Sequence, residues 1–483
     1  TRYGTVTGVQ TCALPILIKI ANTTGAKVVP SGDCHYVHQH DSHSHDIMLC
    51  VATNSNIHTP NRFSFSGDKF YLQSYDEMSS VFSEEYLKNT MHVNDMVDVD
   101  LKFGDIHFPE FPIPTKEKSV DYFERLAWDG LKKKYGEDLP QNIIDRANHE
   151  IKVVKEMGFP EYFLVVSDLV RWAKGNNIRV GWGRGSAAGS VLSYAFDITN
   201  LDPIRFGLMF ERFLVEGRKS MPDIDLDFDD RYRDQVIEYA RSKYGEDRVA
   251  HICTFNRTGA RQSLRDAARA LGYDFVAGDK ISKLVPPPIL GVSKSLEECM
   301  SSEEFKNEYN SNKDSKIIVD TALGLEGLVR QTGIHAAGVV ISKGPLVDYL
   351  PIMRKGVDNP IVTQWDMGRV EQCGLLKIDF LGLRNLGVID SCVKLIEKTK
   401  GISLDIEKIP LDDSKTFEEL CKGNCIGVFQ LESAGMRQLM IQLQPQNIED
   451  IMALISLYRP GPMGSGMDKL YIDRKHSRSK ISY

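Results

Sequence analysis

The sequence predicts a mixed α/β protein of several domains, and three observations carry that expectation. Alternating charged and apolar residues mark two short strands, SMPDIDLDF at Ser220 to Phe228 and LLKIDFLGL at Leu375 to Leu383. Apolar residues at helical spacing fill the stretch from Ser119 to Asn176, and helical patterns dominate again beyond Asn385. The length, 483 residues, suits roughly three or four domains, and the proline-bearing FPEFPIP at Phe108 to Pro114 marks one boundary.

Composition narrows the class. Hydrophobic residues make up 42% and charged residues 26%, and no apolar run approaches the length of a bilayer span, so no membrane segment is expected. The nine cysteines are scattered, and only Cys421 and Cys425 lie close together, which points to a reducing cytoplasm rather than a disulfide or zinc framework. A net charge of -7 argues against a protein that merely coats nucleic acid. The chain opens at Thr1 without methionine, and VTGVQTCALPI at Val6 to Ile16 resembles a translated sequencing-adapter oligonucleotide. Residues 1–16 are therefore expected to be an artefact, with native sequence from about Leu17. The stop at Tyr483, just after the basic run Arg474 to Lys480, leads us to expect an internal fragment.

Taken in order, Leu17 to Asp33 reads as a helix stopped at Gly25 and then a strand, AKVVPSGD. His35, His38, His40, His43 and His45 follow, and Asp33 with His35 forms a DxH pair. Such spacings could grip a metal, although without partners a solvated histidine-rich loop is the better account of most of these residues. After the helices of residues 119–176, IRVGWG reads as a strand and GRGSAAGSVLSYA as a glycine-rich entry to a helix. Gly183, Gly185 and Gly189 leave the backbone open, Ser186 is expected to cap the helix, and Arg184 adds positive charge. That combination makes a phosphate cradle or, alternatively, tight packing of small residues; without GK[ST] it is no Walker loop.

In a strand, side chains two apart share a face, so Asp223, Asp225 and Asp227 line one side while Ile224, Leu226 and Phe228 line the other. Lys377 and Asp379 repeat the design on the second strand. A row of anions is stable only beside something positive, and carboxylates without Cys or His favour a hard cation such as Mg2+. Two such ions activate an attacking oxygen and steady a leaving one in phosphoryl and nucleotidyl transfer, with the lysine facing a phosphate. Solvated acids on an edge strand are the alternative.

Beyond it, Arg231 to Tyr244 reads as a helix and Val249 to Phe255 as a strand. Arg257, Arg261, Arg265 and Arg269 then recur every fourth residue, expected to stack on one helix face, with only Asp266 nearby in sequence to pair with them. A phosphate backbone suits such a stripe, as do ordinary ion pairs. Ser282 to Asp314 resembles a peripheral helical insertion. VRQTGIHAAGVVIS, Val329 to Ser342, predicts a glycine turn leading His335 into a strand, with His335 a satisfied core histidine or a phosphate contact.

Together, GRGSAAGS, LDPIRFGLMFERFL, SMPDIDLDFDD, RQTGIHAAGVV, LLKIDFLGLRNLGVI, FQLESAGM, LYRPGPMGSGM and YIDRKH resemble the family C replicative DNA polymerases of bacteria, of the shorter DnaE type, in unbroken order from about Leu17 to Tyr483. The resemblance implies a polymerase beta-like nucleotidyltransferase palm with a helical thumb and fingers, preceded by the C-terminal part of a PHP domain. It divides the chain into a PHP remnant and linker (17–103), palm (104–254), thumb (255–333), palm again (334–384) and the start of the fingers (385–483). It assigns Asp223, Asp225 and Asp379 to the catalytic triad holding two Mg2+ ions, with Asp227 a strand neighbour. Lys377 and Arg184, Gly185 and Ser186 fall near the incoming deoxynucleoside triphosphate, and the arginine stripe falls near primer-template DNA. Asp33 and His35 match the last metal motif of the PHP domain, which holds Zn2+ or Mn2+ when complete; its remaining ligands are absent from this sequence, so PHP-linked exonuclease activity is not expected. HAAG at His335 to Gly338 departs from the family's usual HAGG. The sliding clamp and other replicase subunits are implied partners through regions beyond Tyr483. A PHP-type phosphoesterase and a non-catalytic DNA-binding fragment are the competing expectations.

Overall fold

A computed structural model of the chain describes residues 8–100, 103–217, 221–288, 293–356 and 360–480. Thr1 to Thr5, Ser220 and Tyr483, on which expectations fell, lie outside the described residues, as does part of the adapter-like segment. The chain divides into two units, residues 1–103 with 254–333, and residues 104–253 with 334–483.

Six strands form a mixed sheet, most of it in the second unit: β1 (Asp225–Asp229), β2 (Val249–Arg257), β3 (Val329–Ile341), β4 (Ile352–Arg354), β5 (Ile361–Thr363) and β6 (Leu376–Leu383), in the order β1-β6-β3-β2-β5-β4, with residues 254–257 of β2 and 329–333 of β3 counted in the first unit. β1 runs parallel to β6 and β3 antiparallel to it. Alternation built these strands as anticipated: Ile224, Leu226 and Phe228 are buried, as are Leu376, Ile378 and Phe380, while the aspartates between them face outward. Phe228 stacks on Phe380 with ring centroids 5.8 Å apart. Each fully buried ring contributes about 1.5–3 kcal/mol of apolar burial. The same core takes Phe163, Val166 and Val170 from the Pro160–Gly175 helix and Val236, Ile237 and Ala240 from the Arg233–Tyr244 helix. Phe417, Leu420, Met440, Leu443 and Leu454 form a separate helical core in residues 414–475.

Apart from those strand ends, the first unit is mainly helical. Leu264, Ala267 and Ala268 of the Ala260–Leu271 helix pack with Ile47 and Val51 of the Ser42–Ala52 helix and with Phe305, Ile318 and Val319. Among the described residues no helix is long and apolar enough to cross a membrane.

Several local expectations are corrected. AKVVPSGD is irregular rather than a strand: the Gly8–Thr24 helix ends at Gly25, whose φ is +72°, and Pro30 has no N–H to give a ladder. IRVGWG forms only a single bridge, Val180 to Phe228, because Gly183 at φ +119° turns the chain away. No glycine turn precedes His335, since β3 runs unbroken from Val329. Ser186 lies inside a 3-10 turn, Gly185–Gly189, and the cap of the Val191–Ala195 helix is Ser190, whose hydroxyl accepts the Ser193 N–H at 3.1 Å. The arginine stripe is not wholly helical, because Arg257 ends β2 three residues before the helix starts.

Candidate active site

The β1–β6 pairing puts Asp225 directly beside Asp379. Asp223 sits just before β1, held there by the Ile224 N–H, which donates to the buried Tyr162 hydroxyl at 2.9 Å. As a result, carboxylate oxygens of Asp223, Asp225 and Asp379 lie within 4.8 Å of one another, the one cluster among the described residues suited to a metal ion. Oδ1 of Asp379 is buried without a hydrogen-bond partner. An all-carboxylate set with such an oxygen fits a hard divalent cation.

Two cations of the protein flank the cluster. Lys377, its side chain only 9% exposed, places Nζ 3.2 Å from Asp379, 3.4 Å from Asp223 and 3.9 Å from Glu371. Burial opposes its charge, yet Asp379 and Asp223 more than offset that and hold its pKa above the ordinary lysine value. Arg184 lies on the other side, 3.5 Å from Asp225 and 3.3 Å from Asp227. Asp225 is nonetheless raised, by partial burial and by Asp223, Asp379 and Asp227, against the pull of Arg184. Glu371 is raised too, first by partial burial and then by the neighbouring aspartates.

The glycine-rich turn is supported from beneath. Glu150 is buried and accepts from Arg146 Nε at 2.7 Å, the Ser190 hydroxyl at 2.7 Å, and the N–H groups of Val191 and Leu192. Arg146 also donates to the Gly189 carbonyl at 2.8 Å. Gly185, at φ +70°, would bring a Cβ to 3.3 Å from Asp225, so glycine is the residue that fits there. Ser186 is exposed on the same turn.

Other sequence-derived candidates have other surroundings. His35 Nε2 is 3.2 Å from Asp33, and its ring packs against His45 and Phe65; no further carboxylate, histidine or cysteine joins that pair in a metal-sized cluster among the described residues. Each arginine of the stripe has an acceptor within its own unit: Arg257 the Gly327 carbonyl, Arg261 the Val285 carbonyl, Arg265 the Asp279 carboxylate at 3.0 Å, and Arg269 the Asn54 side chain. The acid counted nearby, Asp266, pairs with Arg330 instead. His335 is half-buried, neither a core residue nor free: its Nδ1 accepts the N–H groups of Ala337 and Gly338. Sequence reasoning missed Tyr162, Glu371 and Glu150. Tyr162 and Glu150 sit among apolar helix positions, and only the charge of Glu150 signalled anything.

A carboxylate cluster on a mixed sheet, with a largely buried lysine against it, is an arrangement that could hold a hard divalent cation. Residues 121–382 match the family model described as the bacterial DNA polymerase III alpha NTPase domain, and residues 385–483 match the bacterial DNA polymerase III alpha subunit finger domain. The chain belongs to the bacterial DNA polymerase III alpha family. Curated proteins named DNA polymerase III subunit alpha are similar over nearly the whole chain: that of Mycobacterium leprae is 41% identical over 96% of this chain and 41% of its own length. That of Thermus aquaticus is 39% identical over 97% and 43%, and that of Pseudomonas aeruginosa is 38% identical over 96% and 41%. The chain thus spans about two fifths of the length of these relatives.

Proposed function

We propose that this chain carries the polymerising centre of a template-directed DNA polymerase, a nucleotidyltransferase that adds deoxynucleotides to a primer 3'-hydroxyl in bacterial chromosomal replication. The observation that carries it is the meeting of Asp223, Asp225 and Asp379 within 4.8 Å, with Lys377 buried against them. In this reading residues 104–254 and 334–384 are palm, 255–333 thumb, 385–483 the start of the fingers, and 17–103 the end of a PHP domain. Asp223, Asp225 and Asp379 would hold two Mg2+ ions, which when bound supply charge neutralisation at the reacting phosphate and an acidified primer hydroxyl.

The chain's own residues do the rest. Lys377 keeps its proton because two carboxylates face it, and its Nζ meets a non-bridging phosphate oxygen as a fixed positive charge. Arg184, on the open Gly183–Gly185 turn, offers a planar fork to the triphosphate, and Ser186 lies exposed beside it. Template bases supply sequence information while the protein holds backbone and shape, and the exposed edges of Arg257, Arg261, Arg265 and Arg269 would contribute to that grip. Deoxynucleoside triphosphates and primer-template DNA are the partners so implied; the sliding clamp and a cytoplasmic location follow from the replicative role. Asp33 and His35 stand as the remnant of a PHP metal site that would take Zn2+ or Mn2+ with further ligands.

Primer extension tests this. A polypeptide of the relatives' length containing this sequence, given labelled primer-template, Mg2+ and all four deoxynucleotides, is expected to lengthen the primer, and Asp225→Asn to reduce that by about 100-fold or more. Lengthening that survives the substitution, or shortening of the primer lost in His35→Ala, would move the chemistry elsewhere.

A further inference from the structure

Asp227 shares a face with the site yet is not one of its three clustered carboxylates, and its surroundings suggest a different task. Its register partner on β6 is Leu381 rather than Asp379. The segment 179–183 lies along it: Gly181 N–H donates to the Asp227 carbonyl at 2.8 Å, and a Cβ on Gly181 would stand 2.9 Å from Asp227 Cβ. The chain then turns at Gly183 and returns Arg184 to the same aspartate, with Nε 3.3 Å from Oδ2 and Nη2 3.3 Å from Oδ1. The same Nη2 is 3.5 Å from Asp225. The Asp227 side chain is 12% exposed and that of Arg184 46% exposed, so the carboxylate is the fixed partner and the arginine the adjustable one.

We propose that Asp227 is a positioning residue that retains Arg184 at the mouth of the site while the guanidinium exchanges Asp225 for the triphosphate. This rests on the polymerase reading given above. Without divalent cations, Arg184 neutralises Asp225. Cations on Asp225 repel the guanidinium, and a long side chain on a glycine-rich turn released into water would lose its orientation. Asp227 lies outside the cation cluster, so it keeps one edge of the guanidinium paired and leaves the other edge pointing at the phosphate oxygens that the cations bring. Asp227 thereby acts on nucleotide binding through Arg184 and not through the cations.

The test is a double-mutant cycle of Asp227→Asn and Arg184→Gln, read two ways. Tb3+ luminescence, competed with Mg2+, measures cation affinity of the chain itself; single-nucleotide incorporation by a polypeptide of the relatives' length measures KM and kcat. Asp227→Asn is expected to change cation affinity less than about threefold and to raise the nucleotide KM about tenfold, with a smaller effect on kcat. In the Arg184→Gln background it should add almost nothing to KM. Arg184→Gln alters an exposed side chain and probes the same pair if Asp227→Asn folds poorly. The proposal is overturned if Asp227→Asn weakens Tb3+ binding as strongly as Asp225→Asn does, which would make it a ligand. It is also overturned if KM is unmoved, or if the two substitutions multiply independently. Absence of incorporation by the unsubstituted protein would instead sink the polymerase reading.

Discussion

In the proposed reading, proton and metal compete for Asp225. Its folded pKa lies above the ordinary carboxylate value, through partial burial and three neighbouring aspartates. A carboxyl whose pKa is raised by folding favours its protonated form, so its contribution to stability falls as pH rises from the ordinary carboxylate range through the folded value. A divalent cation reverses that sign by favouring the ionised form. Mg2+ affinity, followed by Tb3+ competition, is therefore expected to weaken as pH drops through a window above the usual carboxylate range, and a flat profile there would contradict the burial argument. That Asp223, Asp225, Asp227 and Asp379 face one way was legible because charge alternated with apolar residues on both strands; the choice of three among them came from the family resemblance. Glu371 and Tyr162 were not: they reach the site from two helices, Met367–Gln372 and Pro160–Gly175, and neither spacing nor residue type announces such an approach.

At the level of elements, the turn that carries Arg184 depends on Glu150, one buried carboxylate with four donors. Burial pushes its pKa up while Ser190, Arg146 and two backbone N–H groups pull it down. Glu150→Ala would strand those donors, Arg146 among them, and is expected to cost about 3–5 kcal/mol in chemical denaturation, with Glu150→Gln costing less because it keeps an acceptor. The sequence reading chose Ser186 as the cap, since it directly follows the GRG turn; Ser190 takes the role because a 3-10 turn intervenes. IRVGWG and the residues before His335 were misjudged for a related reason. Whether a segment is a strand is decided by a partner far away in sequence, and glycine content alone misleads: it broke the first segment and left β3 continuous.

For the whole molecule, each unit has its own apolar core, the sheet and its helices in one and a helical cluster in the other. Calorimetry is expected to resolve more than one transition, and Mg2+ at about 100 times its Kd should stabilise the unit bearing the triad by about 2.7 kcal/mol while leaving the other in place. A uniform shift of every transition would refute that assignment. The α/β class and the helical stretches could be read from periodicity, but the strand order could not, because parallel pairing joins distant segments without a local mark.

That distance has a consequence for synthesis. β1 is the edge of its sheet, and its ladder partner β6 lies about 150 residues later. At the ribosome's pace of roughly 5–20 residues per second, β1 waits on the order of 8–30 s for that partner to be made. A bare hydrophobic edge exposed for so long invites pairing with neighbouring nascent chains, whereas an edge studded with Asp223, Asp225, Asp227 and Asp230 repels its own copies. The carboxylates along β1 would thus disfavour pairing with copies of itself until β6 is made.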